Sequence, residues 1–471
     1  MTLSLCTLLI FLASTAFAQT PNPTSSTSIP PVSLYSTNPT AVPLSSITSG
    51  VPSQSTIPLS PSPTPGATPP VKGAPPLPSF VFSPSLGYPP LDLVPSVNSS
   101  QVQQWIQDVK NSGVKIPNLS PTLLGGCATN PTLITNTSRC WWTCGGCTRS
   151  TDIVTCPDKL TWGLSYDDGP SPWSPDLLDY LNTNNLHTTY FIIGSRAISR
   201  PDILQAEYMS GHQISVHTWS HPYMTTLSNE QIIAELGWAK KAIKDITGVT
   251  PNTWRPPFGD VDDRVRALAQ AMGLTTIVWS AYNGKDFDSN DWFIPAGYPV
   301  AQVIDNFENI LSDAQNLSTG FIALEHDLYQ QTVDLAIGYI LPYVRELLIA
   351  NFAFWTNRRT SLTRFKFTRD DSSDALARKT FNLKSIISCL HKPLEDAYIE
   401  TNNNTTNPTS DGATTLPAST SSGTTVAGKG SSSTPAGHGG AGFVGATVDM
   451  SGVVGLCVIL LAVMFGGVMV F

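Results

Sequence analysis

Five short runs rich in β-branched and aromatic residues recur along the middle of the chain: 161–168 (TWGLSYDD), 188–194 (TTYFIIG), 212–217 (HQISVH), 274–279 (LTTIVW) and 321–326 (FIALEH). Several are too uniformly apolar for strands with one wet face, so they predict strands buried on both sides. Helical patterns separate them. The clearest is 229–247, where Ser228 and Gln231 form a capping pair, Ile232, Ile233, Leu236, Ile243 and Ile246 share a face, and Gly248 follows. Strand and helix in alternation predict an α/β fold, a parallel sheet or (β/α) barrel with helices outside. In such folds the chemistry sits where strands end. Here Asp167 and Asp168, His217 and His326 each close one of the apolar runs, and so converge on one rim.

The flanks differ sharply from this core. Residues 1–18 are an apolar run ending in Ala16, Phe17 and Ala18, which predicts a signal peptide, although no basic residue precedes the run. From Gln19 to Leu91 the only charged residue is Lys72, amid dense Pro, Ser and Thr. That composition predicts a disordered, O-glycosylated stalk over 19–95, because too little apolar surface is available to offset the entropy of ordering. A Ser/Thr-rich linker is expected over 396–441. Gly452 to Phe471 is nearly all apolar, with no basic residue behind it. Small residues at Gly439, Gly440 and Ala441, then a spacer, then this tail predict a glycolipid-anchor signal over 442–471 in preference to a spanning helix.

The chain has 8 cysteines, of which Cys6 and Cys457 fall in the segments expected to be removed. The remaining Cys127, Cys140, Cys144, Cys147, Cys156 and Cys389 suit a disulfide framework on a secretory route better than a zinc ribbon, with the pairing left open. Sequons at Asn98, Asn118, Asn136, Asn316, Asn403 and Asn404 fit that route. A net charge of −8 argues against nucleic acid as a partner.

Two motifs stand out within the core. Adjacent like charges at Asp167 and Asp168, followed by Gly169 and Pro170, are tolerable when a metal, an arginine or water takes up one of them. His217 and His221 are four apart, a spacing that brings two imidazoles together on a helical turn; with Asp168 they would make a two-histidine, one-carboxylate site with open positions. Arg255 within TWRPPFGD, Asp291 and Trp292 within DSNDW, and Leu324 and His326 within IALEH supply further polar and apolar groups.

Taken in order, S-Y-D-D-G, H-T-x-x-H, R-P-P-F-G, D-x-x-D-W and I-x-L-x-H resemble the five motifs of the polysaccharide deacetylases of the NodB-homology carbohydrate esterases, over about residues 158–342. With its flanks the chain resembles the fungal cell-wall chitin deacetylases. The resemblance implies a deformed (β/α) barrel over 158–395, preceded by a cysteine-rich extension over 96–157. It implies a divalent metal, zinc with cobalt or manganese as alternatives, held by Asp168, His217 and His221. Asp167 would be the general base, oriented by Arg255; the backbone N–H of Phe258 would face the oxyanion; His326, tuned by Asp291, would protonate the leaving amine; Leu324 and Trp292 would line the acetyl pocket. The implied reaction is removal of N-acetyl groups from chitin, giving chitosan and acetate, by a secreted protein anchored to the plasma membrane and cell wall and surrounded by glucan and chitin. Another acetylated glycan as substrate, or an inert wall mannoprotein, are the alternatives.

The chain departs from the family in four places. Tyr166 and Phe258 stand where Phe and Tyr are usual, and the stretch 279–288 is longer than usual. Residues 343–373 carry six of the 26 basic residues against three acids, and read as an insertion of the kind a retained intron leaves, with a long amphipathic helix as the alternative.

Overall fold

A computed structural model of the protein describes residues 36–345 and 381–402, apart from 51, 52, 54, 60 and 61. The expected signal peptide, residues 19–35 of the expected stalk, the expected linker beyond residue 402, the anchor site at Gly439, Gly440 and Ala441, and the apolar tail lie outside the described residues, as do Asn403, Asn404 and all of the expected insertion beyond residue 345. The linker expectation is corrected over 396–402, which pack on the barrel: Ala397 and Tyr398 are fully buried, the Tyr398 hydroxyl accepts the Ile214 N–H at 3.1 Å and Glu400 Oε1 accepts the Thr250 hydroxyl at 2.7 Å. Among the described residues no helix is long and apolar enough to cross a membrane.

Six parallel strands form the central sheet: β1 (Thr161–Asp167), β2 (Thr189–Ile192), β3 (Gln213–Val216), β4 (Thr253–Trp254), β5 (Thr275–Thr276) and, after the hairpin β6 (Ala281–Tyr282) and β7 (Lys285–Asp286), β8 (Asn382–Ser385). Their order is β5-β4-β3-β2-β1-β8. The run 321–326 is extended beside β1 through isolated bridges, Trp162 with Phe321 and Asp167 with His326, and not through a regular ladder. On its other side the Ser280 N–H donates to Ile322 O at 2.9 Å. The barrel thus closes irregularly, between the residues after β5 and β1. Every residue of β1, β2 and β3 is buried, as their unbroken apolar character predicted.

Helices α1 (Ser100–Asn111), the short turns α2 (Gly126–Thr129) and α3 (Pro131–Ile134), α4 (Ser174–Thr183), α5 (Gly194–Ser199), α6 (Pro201–Met209), α7 (Asn229–Thr247), α8 (Asp263–Ala271), α9 (Val300–Ala314) and α10 (Gln330–Leu335) surround the sheet. The bounds of α7 are those expected: Ser228 and Gln231 form a reciprocal capping box, and Gly248 ends the helix at φ 86°. Three disulfides, Cys127–Cys144, Cys140–Cys147 and Cys156–Cys389, use all six expected cysteines and leave none for a zinc ribbon. The last ties the approach to β1 to the helical turn after β8 across 233 residues, which closes a long loop and so constrains the unfolded chain strongly. Asn98, Asn118, Asn136 and Asn316 are all exposed.

The expected stalk is corrected over the described residues of 36–95. This stretch lies on the barrel as a strap, with Ile47, Val71 and Leu77 at 1%, 2% and 2% exposure. It is bonded at intervals: Tyr339 Oη to Val42 O at 2.8 Å, Gln331 Nε2 to Thr48 O at 3.1 Å and Gln205 Nε2 to Pro78 O at 2.9 Å. Proline has already given up much of its backbone freedom in the unfolded chain, so ordering a proline-rich stretch costs less than its composition suggests. A few apolar anchors on a preformed surface then suffice. If the strap is part of the fold, Leu77→Ala destabilises the protein by about 2 to 5 kcal/mol in denaturant melts; an unordered stalk would leave the midpoint unchanged.

Candidate active site

The site is built from strand ends and the turns that follow them. Asp167 is the last residue of β1, its N–H donating to Glu325 O at 2.9 Å, so the run 321–326 fixes its height on the rim. Asp168 then turns at φ 80°. This conformation points the two neighbouring carboxylates in different directions, at a cost that its fixed surroundings must hold. Gly169 follows because a Cβ there would meet Asp327 Oδ2 at 2.6 Å.

His217 comes at the end of β3, and its Nδ1 lies 2.8 Å from Arg255 O. A carbonyl only accepts, so Nδ1 carries the proton and the lone pair of Nε2 faces the rim. Nε2 lies 3.5 Å from Asp168 Oδ1, and His221 Nε2 lies 3.2 Å from the same oxygen. The two imidazoles do not share a helical turn as their spacing suggested. They are brought together by a loop with Thr218 and His221 at φ 65° and 61°. Ligand atoms from Asp168, His217 and His221 all lie within 4.8 Å of one another.

The donors present fit a divalent cation. Asp168 Oδ1 is buried with no hydrogen-bond partner, an expensive condition for a carboxylate oxygen unless a cation takes it up. Burial alone would raise the Asp168 carboxyl, but His221, His326, Arg196 and His217 outweigh it and hold the group well below the usual range. Burial pulls both His217 and His221 down, favouring the neutral imidazoles that ligate.

The remaining motif residues are placed as follows by the fold. Arg255, fully buried at the end of β4, donates from a terminal nitrogen to Asp167 Oδ1 at 2.7 Å, with its guanidinium over the Phe191 ring. Burial pushes the Asp167 carboxyl up to about 6 in spite of Arg255. Asp291 grips His326 twice: Oδ1 is 2.7 Å from Nδ1, and Oδ2 accepts the backbone N–H at 2.9 Å. Burial would lower His326, but Asp291, Asp168 and Asp167 together push it up to about 10. Phe258 sits at φ 57° in the turn after Arg255, its ring stacked on Tyr223 and edge-on to His221. Leu324 is buried two residues before His326, whereas Trp292 stacks on Phe293 and is only half-buried.

Sequence reasoning missed several residues that hold these groups. Glu235 on α7 accepts the N–H groups of Trp219 and Ser220 at 2.8 and 2.9 Å and the Ser220 hydroxyl at 2.6 Å, pinning the loop between the two histidines. Burial pushes its carboxyl up to about 7 against the pull of those donors. The available signal was an acid on the apolar stripe of α7, between Ile232 and Leu236. Arg196 on α5 donates to the carbonyl of Asp168 at 2.7 Å. A separate cleft of about 460 Å³ between α1 and α7 is lined by Trp105, Lys240, Lys241 and Lys244, but these lysines already bond Met272 O, Asp245 and Glu400.

A cluster of two imidazoles and a carboxylate, beside a second carboxylate held by arginine on the rim of a parallel barrel, defines the class of barrel hydrolases that work with a divalent metal. The pattern of the family described as polysaccharide deacetylase matches residues 155–277. The chain is 51% identical over 377 residues, 79% of its length and 73% of the relative's, to chitin deacetylase 1 of Cryptococcus neoformans var. grubii. It is 33% identical over 311 residues, 59% of its length and 71% of the relative's, to the chitin deacetylase of Amylomyces rouxii. Among solved structures, the chitin deacetylase of Colletotrichum lindemuthianum superposes with a TM-score of 0.41 at 23% identity, covering 54% of this chain and 97% of that one. The chain belongs to the polysaccharide deacetylase family. The family pattern ends at residue 277, before Asp291 and His326, yet the fold brings both to the same rim.

The geometry sets an expectation for metal content. His221→Ala and Asp168→Ala each leave two ligands, too few for a stable site, so elemental analysis of dialysed protein should show metal lost from both variants while near-UV dichroism stays native. Full metal content in either would exclude the cluster as the site.

Proposed function

We propose that this protein hydrolyses the acetamide of N-acetylglucosamine units in chitin, releasing acetate and leaving chitosan. The observation that carries the reading is the Asp167 carboxylate, held at 2.7 Å by buried Arg255 next to the Asp168, His217 and His221 cluster. The 51% identity to a chitin deacetylase over most of the chain supports the substrate class. Every polar role is filled, which disfavours an inert wall protein.

In this reading Asp168, His217 and His221 hold the metal, and zinc is the ion that such a nitrogen-rich set suits best. A bound dication supplies Lewis-acid polarisation of the acetyl carbonyl and of water. Asp167, kept in place by Arg255, accepts a proton from the attacking water. The backbone N–H of Phe258 faces the developing oxyanion, and Leu324 and Trp292 bound the acetyl methyl group. The carbon–nitrogen bond then breaks, and the nitrogen takes a proton from Nε2 of His326, whose Nδ1–H is held by Asp291. Water and acetamide thus become acetate and amine. Export and lipid anchorage belong to the proposal as well, supported by the apolar runs at 1–18 and 452–471 and by six sequons.

Two measurements test this. Secreted full-length protein should release acetate from chitin oligomers; release from acetylxylan alone would replace the substrate. The rate should fall as the pH drops through about 6 or below, where Asp167 takes up a proton, and again as it rises through about 10, where His326 loses its own. Asp291→Asn removes a charge that raises His326, so the alkaline limb should move down; an unmoved limb would remove His326 from the acid role. Asp167→Asn should cost about 10² to 10⁴ in rate with metal content unchanged.

A further inference from the structure

The loop from His217 to His221 carries two of the three ligands and contains two residues in the left-handed region, so its shape must be imposed from outside. Glu235 supplies one side of that support. The other side faces the strap. Trp219, in the middle of the loop, is fully buried. Its indole N–H needs an acceptor, and donates to Pro90 O at 3.1 Å. Its ring stacks on Tyr88 with centroids 5.9 Å apart and planes at 4°. Tyr88 is itself fixed, its hydroxyl donating to Asp245 Oδ2 at 2.6 Å and its ring packed against Trp238.

Two residues further along, the strap reaches the other ligand loop. Asp92 Oδ1 accepts from the Ser195 hydroxyl at 2.8 Å. Ser195 precedes Arg196, which donates to the carbonyl of Asp168, and Ser195 N–H donates to Trp219 O at 3.1 Å. One five-residue stretch therefore touches the supports of all three ligands.

We propose that residues 88–92 of the strap are a positioning element of the metal site. Tyr88 and Pro90 set the His217–His221 loop through Trp219, and Asp92 sets Arg196 against the Asp168 turn. The proposal rests on the metal reading above and extends it to a segment whose composition resembles a linker. Partners of this outer kind typically contribute about 10- to 100-fold to metal affinity or activity.

The test is a calorimetric titration of metal-free full-length protein with zinc, paired with thermal melts of the metal-free protein and with kcat and KM on chitin oligomers. Tyr88→Ala should weaken zinc binding by about 10- to 100-fold at temperatures where the melt shows it folded, lower kcat at limiting zinc with little change in KM, and regain kcat in excess zinc. Tyr88→Phe keeps the stack on Trp219 while losing the bond to Asp245, and should bind zinc more tightly than Tyr88→Ala. Trp219→Phe keeps a ring against Tyr88 but deletes the bond to Pro90, and should weaken binding in the same direction as Tyr88→Ala. Wild-type zinc affinity in folded Tyr88→Ala would overturn the proposal. So would a loss of rate that follows only the unfolded fraction and that excess zinc does not restore. A wild-type protein that takes up no zinc in the same titration would instead remove the metal reading, and the positioning role with it.

Discussion

Two adjacent carboxylates at the end of β1 set the terms for everything around them. Asp167 and Asp168 are both buried, at 1% and 8% exposure, and neither could stay charged there alone. The fold answers with two different partners. Arg255 takes Asp167, while the imidazoles of His217 and His221 face Asp168 and prepare it for a cation. The left-handed turn at Asp168 is what separates these fates, because it aims one oxygen at an arginine and the other at a pair of neutral nitrogen donors.

The cost of this arrangement is spread over the structure. Arg255 follows β4 directly and precedes two prolines, and its buried guanidinium is covered by the Phe191 ring. Orienting His217 uses the carbonyl of the same arginine, so one residue holds both Asp167 and His217. Burial also raises carboxyls close to the site: Glu325 well above its usual range, and Asp327 to about 7. Glu325 thereby favours its neutral form and adds little negative charge under the cluster.

Much of this was legible from residues alone, for reasons that differ by element. Helix α7 was readable to its ends because its capping box and its terminal glycine are local devices. The rim residues were readable because strand ends in a parallel barrel face one way. By contrast β4 has two residues and β8 reads Asn-Leu-Lys-Ser, so neither carries a period to detect. The histidine loop's handedness, and the carbonyl that orients His217, leave no trace in side-chain type. The strap was misread because proline-rich composition reports what a segment does alone, and this one is ordered only by the surface beneath it.

The central claim is that Asp168, His217 and His221 bind a metal while Asp167 stays off it, free to take a proton. Crystals of the full-length protein grown with zinc, measured on both sides of the zinc absorption edge, test this most directly. The account predicts one anomalous peak within bonding distance of Asp168 and the Nε2 atoms of His217 and His221, with Asp167 still on Arg255. A peak ligated by Asp167 in place of Asp168, or no peak on this rim, would contradict it.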